Sequence, residues 1–298
     1  LPLSSRRRFL TSLVAAGVAG LGSVSYAVGI EPHWRLLVTR HNLRHPRWVA
    51  DMPLRVAVVA DLHACDPFMT LPRIERIVSL TNSLGADLIA LLGDYVGGPR
   101  HLASQLDPAD WARTLAQLKA PLGVHAVLGN HDWWADVNVQ LNRRGTPFAR
   151  RALEKAGIPV YENEAIRIRH RGRAFWLAGL ADQLAYLIGR RRHLGVHDLG
   201  GTLAKVTDDA PIVLLAHEPD IFPTVPDRVQ VTISGHTHGG QVRVLGYSPI
   251  VPSRYGNRYA YGHFVEDGRH LVVSGGLGCS IIPVRLGVPP EIVLVDIA

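Results

Sequence analysis

Apolar and polar positions along the chain follow a regular rhythm. Leu54-Arg55-Val56-Ala57-Val58-Val59-Ala60 is a short β-branched run that reads as a buried strand, with Asp61 at its carboxyl end. Residues 71–84 switch to helical spacing, with Ile74, Ile77, Val78 and Leu80 recurring on one face. A second strand is predicted over 87–92, closing on Gly93-Asp94, then a helix over 109–118. A third strand over 124–128 ends in Gly129-Asn130-His131-Asp132. After a helix over 150–156 the pattern changes to short strands, near Val160 and over 166–170, 174–178, 211–216, 229–233, 241–244, 271–274 and 292–295. Helices between early strands, then runs of strands, predict an α/β layered sandwich rather than a purely parallel sheet. There is no internal repeat and no low-complexity linker.

Composition sets the scale. The 298 residues are 47% hydrophobic, with 29 Gly and 20 Pro, enough to bury a large core and too apolar for disorder. A net charge of +7 first suggests a polyanionic partner. Its distribution argues otherwise. Residues 1–60 hold eight arginines and only two acids, Glu31 and Asp51, leaving the rest with 24 basic and 23 acidic groups. Nucleic-acid binding is therefore not expected. Two cysteines, Cys65 and Cys279, exclude a disulfide scaffold and a Cys-based zinc domain, and free buried thiols are the simpler expectation for them. The unusual count is 15 histidines.

At the amino-terminal end, Ser5-Arg6-Arg7-Arg8-Phe9-Leu10 precedes an uncharged Gly- and Ala-rich stretch reaching Ile30. The motif resembles the bacterial twin-arginine export signal, which implies the twin-arginine export machinery as a partner and the periplasm or cell envelope as the location. Ser25-Tyr26-Ala27 offers a small-x-small cleavage site, and retention as a membrane anchor is the alternative. Residues 1–30 are thus assigned as signal or anchor, 31–53 as a basic connecting segment and 54–298 as one functional domain. In the connecting segment Trp34, Arg35, Arg40, Arg44, Arg47 and Trp48 interleave aromatic and basic side chains. They suit either a membrane surface or an ordinary first strand with a basic exposed side. Pro46 and Pro53 favour the strand.

The candidate chemistry lies at the strand ends. Asp61-x-His63, Gly93-Asp94, Gly129-Asn130-His131-Asp132, Ala216-His217 and Gly235-His236-Thr237-His238 each place oxygen or nitrogen donors just after a strand. On extended backbone, Asp-x-His and His-x-His side chains reach the same side. Carboxylates, imidazoles and one amide oxygen, without thiolate, suit divalent Mn, Fe, Co or Zn. Each piece alone is weak.

All five blocks in this order resemble the calcineurin-like metallophosphoesterase family, over roughly residues 54–298. The resemblance implies a four-layer α/β/β/α sandwich with two central mixed sheets and two divalent metal ions. One ion would take Asp61, His63 and His238, the second Asn130, His217 and His236, with Asp94 bridging. His131 matches the family's non-ligand catalytic histidine. Two cations sharing a water make hydroxide available near neutral pH, and His131 would protonate the leaving oxygen or hold the phosphoryl group. Asp132 would either orient His131 or cap the following helix. The leader, Glu31-Pro32 and Gly239-Gly240-Gln241 further resemble the exported phosphodiesterases of bacterial envelopes.

One departure matters. The phosphoprotein phosphatase branch carries G-D-x-x-D-R-G, whereas this chain reads Gly93-Asp94-Tyr95-Val96-Gly97-Gly98, without the second Asp or the phosphate-holding Arg. A phosphodiester or pyrophosphate substrate, lipid-linked in one version, is therefore favoured. A phosphomonoesterase of the same fold and a non-catalytic binder of phosphorylated ligands are the alternatives. Arg254 and Tyr255 follow the last block closely enough to bind substrate. Arg100, two residues beyond Gly98, stands where it would partly replace the missing Arg. Arg190-Arg191-Arg192-His193 reads as a solvated loop or as a cap for an anionic headgroup. His125, His170, His197, His263 and His270 have no motif partner and read as surface or core.

Overall fold

Val56, Ala57, Val58 and Val59 are all buried, which a strand achieves only with protein on both of its faces. The computed structural model supplies those two faces. It describes residues 20–99, 101–190 and 192–298, so the twin-arginine motif, Arg100 and Arg191 lie outside the described residues. Among the described residues a five-stranded mixed sheet runs, in spatial order, Leu37–Leu43, Glu291–Ile297, Leu54–Val59, Leu88–Leu91 and Val124–Ala126. A six-stranded mixed sheet runs Gly262–Glu266, Arg269–Val273, Val231–Ser234, Ile212–Leu215, Arg173–Gly179 and Glu164–His170.

The sheets pack face to face. Val56, Val58, Leu88, Val293 and Val295 of the first join Phe175, Leu177, Val213, Val231 and Val272 of the second in one apolar cluster. On the outer face of the first sheet lie the helices Leu71–Ser83, Pro108–Leu115 and Phe148–Lys155, which bury Ile74, Ile77, Trp111, Ala149 and Leu153. The second sheet is covered by the shorter helix Leu199–Ala204 and the 3₁₀ turn Pro219–Thr224. This is the four-layer α/β/β/α arrangement, with two central mixed sheets.

Leu54–Val59, Leu88–Leu91 and Val124–Ala126 are mutually parallel, as are Arg173–Gly179, Ile212–Leu215, Val231–Ser234 and Arg269–Val273. The loops after these strands therefore leave each sheet at one end, where the motif residues sit. Leu37–Leu43, inside the basic connecting segment, is an edge strand parallel to Glu291–Ile297. Residues 241–244 do not form the strand that their alternation predicts. Gln241 has left-handed backbone (φ 58°), and after one isolated bridge from Val242 to Leu286 and one from Val244 to Tyr247 the chain turns back at Leu245-Gly246. Upstream, the chain is helical from residue 20 to Trp34. No helix of the described residues is long and apolar enough to cross a membrane.

Four histidines gather where the edges of the two sheets meet. His263 Nε2 lies 2.9 Å from His270 Nδ1, with the rings stacked, while His41 packs on His263 and His45 on His270. Burial lowers the proton affinity of all four, and burial together with His263 and His45 brings His270 down to about 4. The unfolded chain binds these protons near pH 6.5, so the stability that the neutral cluster contributes is present above that pH. It is lost as pH falls from about 6.5 toward 4. The melting temperature is expected to drop between pH 7.5 and 5, and His270→Asn to reduce the drop. An equal drop in the variant would show that the cluster does not set acid sensitivity.

Candidate metal centre

Each candidate ligand stands one or more residues beyond the end of a parallel strand. Asp61 follows Leu54–Val59, Asp94 follows Leu88–Leu91, Asn130 follows Val124–Ala126, His217 follows Ile212–Leu215, and His236 and His238 follow Val231–Ser234. The backbone there is not extended. Asp61, His63, Asp94, His236 and His238 all have φ between 49° and 67°, a left-handed conformation that costs a non-glycine residue about 1 kcal/mol or more. Asp61 and His63 thus reach one point through a left-handed turn rather than through strand alternation. Bonds to the neighbouring loop hold this turn: Asp61 N donates to Gly93 O (3.1 Å), His63 N to Asp94 O (2.9 Å) and Ala64 N to Tyr95 O (2.8 Å).

The side chains converge in two overlapping groups. Ligand atoms of Asp61, His63, Asp94 and His238 lie within 4.8 Å of one another, as do those of Asp94, His217 and His236, and all six residues are buried. Asp94 belongs to both groups. His63 Nε2 and His238 Nε2 are 3.0 Å apart, about the spacing of two nitrogens bound at right angles, each about 2.1 Å from one ion. Asp94 Oδ2 is 3.4 Å from His217 Nε2 and 3.7 Å from His63 Nε2. The opposite ring nitrogens face carbonyls: His63 Nδ1 with Val96 O (2.9 Å), His217 Nδ1 with Leu92 O (2.6 Å) and His236 Nε2 with Pro252 O (2.9 Å). Such carbonyls keep the proton on the outer nitrogen and turn the lone pair inward. His238 differs, its Nδ1 meeting the guanidinium of the buried Arg285 at 3.2 Å.

This donor set fits cations. Asp61 Oδ2, Asn130 Oδ1, His217 Nε2 and His236 Nδ1 are buried without a hydrogen-bond partner, each at a cost of roughly 1–3 kcal/mol unless an ion meets it. Burial, with Asp94 adding to it, pushes the Asp61 carboxyl up to about 7. Burial likewise brings His63 down to about 3, in the neutral form a metal needs. At Asp94 burial also opposes ionisation, but His217, His131 and His63 around it hold the carboxylate well below its usual range. Two divalent cations would supply the charge that these buried carboxylates call for.

Asp132 caps its own short helix Asn130–Trp134 and also binds the Asp94 loop. Its Oδ2 accepts from Gly129 N and Asp94 N (2.9 Å each), and its Oδ1 from Tyr95 N (2.9 Å) and Val96 N (3.3 Å). One buried carboxylate thereby clamps the Asp94 loop to the Asn130 loop. Gly129 leaves room for both loops, since a Cβ there would lie 2.4 Å from Asp94 Oδ1 and 2.6 Å from His217 Cε1.

His131 stands beside the two groups, half-buried, its ring edge-on to His63 at 4.9 Å. Its Nε2 is 3.2 Å from Ser280 Oγ, and its backbone N donates to Asp94 Oδ1 (2.8 Å). Trp134 packs against His131 (5.2 Å) and stacks on His193 (5.2 Å), so the ribbon of Tyr186–Gly189 and Arg192–Leu194 borders the site. Arg254 pairs with Asp220, and Tyr255 packs edge-on to Tyr259, in the loop whose Pro252 meets His236. Cys65 and Cys279 are free, buried and line one small cavity with His63. Ser280, Trp134 and Arg285 went unrecognised in the sequence. Of these only Arg285 left a signal, as a lone charge in the apolar run Ile281-Ile282-Pro283-Val284-Arg285-Leu286.

Comparison with known proteins is consistent with this geometry. The model of the calcineurin-like phosphoesterase family matches residues 54–240. The metallophosphoesterase YkuE of Bacillus subtilis (strain 168) is 30% identical, the match covering 97% of this chain and 96% of the relative. The phosphodiesterase YaeI of Escherichia coli (strain K12) is 31% identical over 98% of this chain and 99% of its own. A dimetal phosphatase structure from Danio rerio aligns with 75% of this chain and 88% of its own, at 14% identity and a TM-score of 0.39.

Asp132→Ala removes four backbone acceptor contacts at once and is expected to destabilise the fold by on the order of 3 kcal/mol. Bound metal in the purified variant should fall well below two equivalents. A variant that keeps both its melting temperature and two equivalents by elemental analysis would refute the clamp.

Proposed function

The chain belongs to the calcineurin-like phosphoesterase family and is a hydrolase, and from that premise we propose that it cleaves phosphodiesters or pyrophosphates in the bacterial cell envelope. The observation that carries the substrate preference is the packing at Gly97 and Gly98. A Cβ on Gly97 would lie 2.8 Å from His63 Nδ1 and 2.9 Å from His131 Nδ1, and one on Gly98 would lie 2.7 Å from Cys65 Sγ. Neither an acid to pair with His131 nor an arginine to grip a phosphate dianion fits at these two positions. A diester carries one negative charge where a monoester carries up to two, so it needs less of that missing cationic hold. The full-length similarity to a phosphodiesterase supports the same preference.

Asp61, His63 and His238 would hold one cation and Asn130, His217 and His236 the other, with Asp94 serving both. When bound, two divalent ions supply an ionised water near neutral pH and neutralise phosphoryl charge. The chain's own work is to fix geometry and to move a proton. Backbone carbonyls of Leu92, Val96 and Pro252 lock three imidazoles in the ligating tautomer. His131 Nε2 carries the proton that the leaving oxygen takes, with Ser280 Oγ and the Trp134 ring limiting its rotation.

The envelope location rests on the twin-arginine motif Ser5-Arg6-Arg7-Arg8-Phe9-Leu10. Retention of the leader as an anchor is supported by Ala27. This residue of the candidate cleavage site is buried, and its carbonyl accepts from Arg285 N (2.9 Å). The export machinery and a lipid-linked phosphoester are the partners this reading implies.

With manganese added, bis-(p-nitrophenyl) phosphate should turn over faster than p-nitrophenyl phosphate, and the reverse order would overturn the substrate preference. His131→Ala should lower kcat by roughly 10²–10⁴ while two metal equivalents remain. Loss of metal instead would place His131 among the ligands. Arg6→Lys with Arg7→Lys should leave the protein in the cytoplasm of a fractionated host, whereas normal export of the pair would remove the twin-arginine route.

A further inference from the structure

Most of the large hydrophobic side chains that the described residues expose lie on three segments that meet at the mouth of the metal centre. The first is the loop after the last ligand block. There Leu245 is fully exposed and Ile250 is 80% exposed, with Tyr247 between them. The second is the loop carrying Ile281 and Ile282, directly after Ser280. The third is the helical stretch at 20–30, which exposes Leu21, Val24 and Val28.

Hydrogen bonds knit the three into one face. Ser280 N donates to Gln241 Oε1 (2.8 Å), and Gln241 Nε2 donates to Ile282 O (3.0 Å) and Val284 O (2.9 Å). Arg285 N then donates to Ala27 O (2.9 Å). The first loop is seated on the ligand block itself, through Ser248 Oγ to Gly239 O (2.6 Å) and through the contact of Pro252 O with His236. The rim therefore adjoins the site, meeting His131 through Ser280, His236 through Pro252 and His238 through Arg285.

Three further features bear on what covers it. No acidic residue occurs in 1–30, 241–254 or 280–288, and the half-buried Arg243 adds positive charge to the first loop, while Arg285 is fully buried and Arg254 is paired with Asp220. The chain outside the described residues joins this same face at residue 20, and its 9–19 stretch is uncharged and mostly apolar behind Arg6-Arg7-Arg8. Leu245, moreover, holds a left-handed conformation (φ 50°) at the tip of a two-residue turn, a position that glycine or asparagine fills where only water is met. We propose that this rim docks on an anionic lipid bilayer, with Leu245, Ile250 and Ile281 entering the headgroup layer, so that the site meets phosphodiesters carried by membrane lipids. The docking rests on the rim alone; the substrate class also rests on the phosphodiesterase reading above.

The test uses the full chain and vesicles of equimolar phosphatidylglycerol and phosphatidylcholine. An environment-sensitive fluorophore is attached to Leu245→Cys, to Ile281→Cys and, as a control on the exposed edge strand of the second sheet, to Val265→Cys, with the unsubstituted chain treated in parallel. Vesicles should shift the emission to the blue at 245 and 281 and leave 265 unchanged. No shift at the two rim positions overturns the proposal, as does a shift that appears without lipid and grows with protein concentration, which would assign the rim to a second copy. In a parallel assay, Leu245→Asp with Tyr247→Asp should lower turnover of a phospholipid diester in vesicles at least tenfold and leave that of soluble bis-(p-nitrophenyl) phosphate within twofold. Equal loss on both substrates overturns the lipid assignment. Absence of turnover on either substrate by the parent chain counts against the phosphodiesterase reading, and the fluorescence still decides the docking.

Discussion

Two sheets can share one metal centre only if their parallel strands end at the same edge of the sandwich, and the apolar seam between the sheets enforces this. Val56, Val58 and Val293 on one side and Val213, Val231 and Val272 on the other interlock across it. A slip of one residue in any of these strands would send its seam side chains to the opposite face of the sheet. Asp61 and Asp94 are thereby brought opposite His217, His236 and His238 before any ligand contact is made. The site is thus a consequence of register, and its precision derives from packing far from the ligands.

That precision is used against considerable local cost. Five candidate ligand residues occupy left-handed backbone, and several donor atoms are buried without partners. The surrounding loops hold this arrangement in place with groups that need not touch any ion. Asp132 ties two ligand loops together, and Glu291 accepts from Gly275 N and from the Tyr261 hydroxyl. It steadies the loop whose Gly276 lies against Asp61, where a Cβ would come within 2.7 Å of the Asp61 Cβ. Arg285 presents a guanidinium to His238 while satisfying the carbonyls of Gly278 and Val288. The backbone strain is thus met by the fold before any cation binds, and two cations would be left to meet the unpartnered donors.

The sequence disclosed the donors and the order of elements because both are local. Asp61-x-His63 or Gly235-His236-Thr237-His238 is a short word, and the β-branched run before Asp61 is a strand in isolation. Several details were not local. The predicted strand over 241–244 gave way to the Leu245-Gly246 turn, since alternation alone carries no information about φ. Asp132 read as an orienting or capping residue because its partners at Asp94, Tyr95 and Val96 are more than thirty positions away. Ser280 approaches His131 across 149 positions, a pairing that no motif spacing announces. Trp134 stands two residues after Asp132, yet its role appears only when His193 arrives from the neighbouring ribbon.

The place of the edge strand Leu37–Leu43 has a consequence for the order of events in the cell. Among the described residues this strand pairs only with Glu291–Ile297, so a segment made early must wait for one that is made much later. The helical stretch before it is under the same condition, because Ala27 and Glu31 are received by Arg285 and Val288. Until residues near 290 have been made, this segment lacks these partners. Its docking is therefore a late event in folding, set by the length of chain that separates the two partners.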